Sequence, residues 1–92
     1  MTKKRKLHHW KGLINYAWLG TSKQKEPFYY LDITQQISFG TKPEAVYAFA
    51  NLVSKEVWQV LEKENYQGKK YLFVCENRTR GWRLKEWKEL NQ

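Results

Sequence analysis

From Thr41 to Tyr66 the apolar residues Val46, Phe49, Ala50, Val53, Val57, Val60 and Leu61 recur at steps of three and four. That spacing gathers side chains on one stripe of an α-helix. Thr41-Lys42-Pro43-Glu44 ahead of the stripe has the form of a capping box with Pro in the first turn. The pattern predicts one long helix that stops near Asn65, with Gly68 just beyond. Tyr47 and Trp58, eleven positions apart, return to nearly the same helical angle, about 100° from the centre of the stripe. They form a strip beside the core face, with Asn51 and Ser54 on the same side.

The flanking segments follow a two-residue period instead. Trp10 to Gly20 fits both a helical face and a strand face, and its Trp, Tyr and Ile content, together with Gly12, favours a strand over about Gly12 to Leu19. Pro27 to Thr34 alternates cleanly: Phe28, Tyr30 and Asp32 face one way, Tyr29, Leu31 and Ile33 the other, and the second set suits a core. Tyr71 to Glu76 is a short apolar strand, Asn77 to Gly81 a turn in which Gly81 supplies positive φ, and Trp82 to Lys85 the returning strand. Trp82 and Leu84 share one face of it, Arg83 and Lys85 the other, and Glu86 to Leu90 is expected to finish as a helical turn. The predicted fold is α+β, a small antiparallel sheet in β-β-α-β-β order packed against one long amphipathic helix. Residues 1–7 are expected to be a flexible basic arm and residues 8–92 a single domain.

Charge narrows the function more than periodicity does. The chain has 17 Lys and Arg against 9 Asp and Glu, a net charge of +8, which favours polyanionic partners. Lys3, Lys4, Arg5 and Lys6 contribute four positive charges. From residue 69 onward seven cations (Lys69, Lys70, Arg78, Arg80, Arg83, Lys85 and Lys88) face three acids, whereas Pro43 to Glu64 has two lysines against four glutamates. The basic segments are therefore expected to hold phosphates, arginine by its two-pronged fork. Phe28, Tyr30, Phe73 and Trp82 would stack on bases if they lie on an uncovered sheet face.

Tyr71 to Gly81, with Glu76-Asn77 leading into basic residues and a glycine, resembles the strand-turn signature of PUR-repeat proteins over these eleven residues. The resemblance implies single-stranded nucleic-acid binding on a curved sheet. One extra residue stands between Asn77 and Gly81, and the segment follows the expected helix where in that family it opens the repeat, so the likeness is one of hairpin chemistry and the family is not assigned.

Catalytic chemistry is sparse. His8 and His9 adjoin the arm, Cys75 falls inside an apolar strand, and Asp32 is the sole aspartate. No phosphate loop or metal-ligand spacing occurs. No enzyme activity, cofactor or metal is expected. The lone cysteine points to a reducing, cytoplasmic setting, and no run reaches the length of a membrane span.

The leading reading is a small nucleic-acid-binding protein, DNA or RNA with single strands favoured, using Lys3, Lys4, Arg5, Lys6, Lys69, Lys70, Arg78, Arg80, Arg83 and Lys85 on phosphates and Trp82 on bases. The alternative is a small protein-binding regulator or inhibitor, of mobile-element or phage type, that targets a larger nucleic-acid enzyme through Tyr47 and Trp58. A membrane-surface role is disfavoured because the polar side of the expected helix is acidic.

Overall fold

The computed structural model describes residues 6–79 and 81–90. Its elements are β1 (Leu7–Thr21), β2 (Pro27–Ile37), β3 (Gly40–Phe49), α1 (Lys55–Glu62), β4 (Lys70–Arg78) and β5 (Gly81–Leu90). The strands close into a barrel in the order β1-β2-β3-β5-β4. All neighbours are antiparallel except β3 and β5, which run parallel and, among the described residues, pair at Val46 with Trp82 and Tyr47 with Arg83.

The expected α+β sheet with its long helix is therefore corrected to a barrel carrying one short helix. The first half of the expected helix is strand β3. Val46 and Ala48 point into the barrel and are fully buried, while Tyr47 and Phe49 point out, so a two-residue period operates within a run that also satisfies a three-four one. Pairing along the whole of β2 satisfies the backbone of a Val-, Tyr- and Phe-rich segment and overrides helix periodicity. Pro43 lies in the part of β3 that pairs with β2 alone, where a missing amide is tolerated.

The helix that does form is capped thirteen residues later than expected, by Ser54 and not Thr41, and the Ser54 hydroxyl accepts from the Val57 amide at 3.3 Å. It buries Val57 and Leu61 against the barrel. Two further expectations change. Glu86 to Leu90 continues β5 instead of forming a helical turn, and Leu7, expected in the arm, opens β1 opposite Glu76.

The core consists of inward residues from every strand, including Ile14, Leu31, Ile33, Val46, Phe73, Cys75 and Leu84, together with Leu61 and Tyr66 beside α1. Each large aliphatic or aromatic group removed from water contributes about 1.5–3 kcal/mol. Barrel closure depends on β1, which bends so that Gly12 pairs with both Gln35 of β2 and Tyr71 of β4. A Cβ at this position would stand 2.2 Å from the Thr34 carbonyl oxygen. Only glycine permits that approach.

Candidate nucleic-acid interface

The outer face is built from side chains that alternate with the core. One row crosses all five strands through their registers: Trp18 faces Tyr30, Tyr30 faces Tyr47, Tyr47 faces Arg83 and Arg83 faces Glu76. Its first three members are aromatic, with ring centroids 4.4 Å apart for Trp18 and Tyr30 and 5.2 Å for Tyr30 and Tyr47. Tyr16 stacks on Trp18 at 4.8 Å. Phe28 joins Tyr47 at 5.8 Å and Phe49 at 5.4 Å. Six rings thus form a connected sheet-surface cluster whose most open members are Tyr16 and Trp18, 51% and 45% exposed.

An open groove of about 560 Å³ lies at one end of this cluster. Its walls are the β1–β2 loop with Lys23, the rings of Phe28, Tyr47 and Phe49, and the β4–β5 hairpin with Arg78, Trp82 and Arg83. Gly81 has φ +130°, and a Cβ there would come within 3.3 Å of the Tyr47 ring. The glycine thus lets the hairpin close against an aromatic wall.

Among the described residues, the two arginines that line the groove share one carboxylate oxygen. Glu76 Oε1 accepts from Arg78 at 2.8 Å and from Arg83 at 2.7 Å. Two guanidinium groups against one carboxylate leave one positive charge, to which Lys85, on the same hairpin, adds a second. Burial acts to raise the Glu76 carboxyl, but the Arg78 hydrogen bond and the charges of Arg83, Lys85 and Arg78 outweigh it and hold the group below its ordinary range. Arg83 Nε is buried without a hydrogen-bond partner.

The expected binding residues are only partly gathered. Arg78, Arg83 and Trp82 line the groove. Lys85 is the extra residue of a bulge, lying between Leu84 and Glu86, which pair with Cys75 and Val74. Lys69 and Lys70 sit at the opposite end of the β4–β5 pair, eight residues and roughly 27 Å along the strand from Arg78, and Lys69 pairs with Glu89 at 3.7 Å. Lys6 is exposed ahead of β1. Lys3, Lys4, Arg5 and Arg80 lie outside the described residues. Trp82 packs chiefly inward, edge-on to Trp10 at 4.4 Å and to His8 at 4.9 Å, so His8 is held within the barrel. Phe73 is fully buried and offers no stacking face.

The Tyr47 and Trp58 strip does not form. Tyr47 is on β3 among Phe28 and Tyr30, whereas Trp58 is on α1 and meets Tyr29 at 4.9 Å. Once the long helix is replaced by a strand and a short helix, the eleven-residue spacing no longer aligns them.

Sequence reasoning misses Tyr16, Trp18 and Phe49. Tyr16 and Trp18 read as sharing the face of Ile14, but a bulge at Asn15 shifts the register between Ile14 and Tyr16. Ile14 consequently points in while Tyr16 and Trp18 point out. Phe49 falls on the oily stripe of the expected helix, and only its place on β3 turns it outward.

Among the described residues, no cluster of three or more His, Cys, Asp or Glu is placed to hold a metal. Cys75 is an unpaired, buried thiol whose pKa burial pushes up to about 12, with Glu44 adding to the shift. No helix among the described residues is long and apolar enough to cross a membrane. No family model, curated protein or solved structure matches this chain.

Proposed function

We propose that the protein binds single-stranded nucleic acid, without catalysis, along the aromatic outer face of β1, β2 and β3 and into the groove between the β1–β2 loop and the β4–β5 hairpin. The observation that carries this reading is the cross-barrel row, in which Trp18, Tyr30 and Tyr47 run directly into Arg83. Rings that stack on bases thereby adjoin a cation able to hold phosphate. The surface is also the one that five-stranded barrels of the oligonucleotide/oligosaccharide-binding type use, namely the strand 2–3 face between the 1–2 and 4–5 loops. A shared architecture carries no function by itself, so the weight rests on the rings and cations. Duplex binding through a groove-reading helix is disfavoured because α1 turns Val57 and Leu61 into the barrel and carries two glutamates against one lysine. The protein-binding alternative loses its specific support with the Tyr47 and Trp58 strip. The unpaired Cys75 thiol supports a reducing, cytoplasmic setting.

The test is fluorescence anisotropy of a labelled thymidine 15-mer at 50 and 200 mM salt. About three phosphate contacts, each worth a slope of about −0.7, predict a 10–20-fold weakening across that range. Absence of binding at 50 mM salt, or affinity indifferent to salt, would remove the reading.

A further inference from the structure

Asp32 is the one acidic side chain that shares the outer face of β1–β2–β3 with the exposed rings. It lies one row from the Trp18–Tyr30 pair, facing Tyr16 on β1 and Ala45 on β3. Its setting is built. The bulge at Asn15 turns that side chain outward, where its amide donates to Asp32 Oδ1 at 3.1 Å and its carbonyl oxygen accepts from the Thr34 hydroxyl at 3.1 Å. The neighbouring Asp32 carboxylate raises the pKa of the Tyr16 phenol, by hydrogen bonding and by its charge. Among the described residues no cation forms an ion pair with Asp32.

A fixed carboxylate with no counter-cation repels phosphate, so the backbone of a bound strand must pass on the side of Lys23, Arg78 and Arg83. Base edges then meet Asp32. A carboxylate offers two parallel acceptor oxygens and no donor. Guanine presents two adjacent donors, N1–H and N2–H, on its Watson–Crick edge. Adenine and cytosine each set one donor beside an acceptor, and thymine places its single N–H between two carbonyls. Electrostatic and geometric fit therefore converge on one base.

Resting on the nucleic-acid reading above, we infer that Asp32 makes this surface guanine-selective, with a guanine stacked beside the Tyr16–Trp18 pair donating N1–H and N2–H to the Asp32 carboxylate. Asn15 is a positioning residue that holds the carboxylate in line.

The test uses thymidine 12-mers carrying guanine, inosine, adenine or cytosine at the two central positions, titrated by anisotropy at low salt. The guanine oligomer should bind about tenfold more tightly than the adenine one, in the range of one bidentate base contact. Inosine, which lacks the N2 donors, should fall between them. Asp32→Asn, with its fold checked by far-UV circular dichroism, should lose the preference for guanine over adenine, since an amide presents one donor and one acceptor. Equal binding of the guanine and adenine oligomers by the unmodified protein, or a guanine preference that survives in D32N, would overturn the role of Asp32 and leave single-strand binding standing. Failure of every oligomer to bind would remove both.

Discussion

Arg83 on β5 and Glu76 on β4 face each other across the barrel wall, with Arg83 donating to Glu76 Oε1 at 2.7 Å. The same oxygen takes Arg78 at 2.8 Å, so one carboxylate restrains both Arg78 and Arg83. Replacing it should separate binding from stability. Glu76→Gln frees one net positive charge at the groove and should tighten oligonucleotide binding, steepening the salt dependence by about 0.7 in log–log slope. It also weakens two charge-assisted bonds at a mostly buried site and should lower unfolding free energy by about 1–3 kcal/mol, read from urea denaturation.

The pH dependence at the acid end has a definite sign. Because the Glu76 pKa lies below its ordinary value of 4.5 in the folded protein, its contribution to stability is complete above that value and fades as pH falls through the lower, folded one. Thermal melts between pH 5 and 2 should show the unmodified protein losing stability more steeply than Glu76→Gln.

At the alkaline end Cys75 and Tyr71 act together, both raised to about 12 by burial from ordinary values of 9.0 and 10.0. Groups whose folded pKa is raised favour the native state below the unfolded pKa, and that advantage is lost as pH climbs toward the folded one. Stability should therefore decline progressively from about pH 9, and Cys75→Ala should flatten the first part of the decline. The native thiol should resist a disulfide reagent at pH 8 and react at once in denaturant.

Ring substitutions should sort by face. Trp18→Ala and Tyr47→Ala should each cost about 1–3 kcal/mol of oligonucleotide binding. Trp58→Ala, which removes packing against Tyr29, should lower the melting temperature and leave the salt-dependent affinity in place. A matching affinity loss in Trp58→Ala would point back to a surface that includes α1.

Gly12→Ala is expected to be among the most damaging single-methyl changes. The added carbon meets backbone, the Thr34 carbonyl at 2.2 Å, so no side-chain rotation relieves it. Relief requires β1 to move away from β2, at a cost of about 3 kcal/mol or more. Equilibrium urea unfolding checks this, with Phe39→Ala as a control at a fully exposed hairpin position.

Alternation within β2 makes Leu31 and Ile33 readable as core, and Phe28 and Tyr30 as the opposite face, from the sequence alone. Cys75 is legible as buried because it sits in an apolar run, and Arg83 as facing outward because it alternates with Trp82 and Leu84. Tyr16 and Trp18 escape the same reasoning because one bulged residue, Asn15, reverses the phase of everything after it and leaves no mark in composition.

What the chain determines locally is which side chains alternate, where turns fall and that its last third is basic. Closure belongs to the tertiary structure. Residues 41–66 satisfy helical and strand periods at once, and the choice between them comes from β2, whose unpaired edge gives Val46 and Ala48 a barrel interior to fill. The same long-range pairing sets Glu76 beside Arg78 and Arg83, which offsets part of the charge that sequence counting assigns to the hairpin, and sets the rings of three strands in one row leading to Arg83. Periodicity is a property of neighbours along the chain, whereas the row and the shared carboxylate exist only between strands brought together by folding.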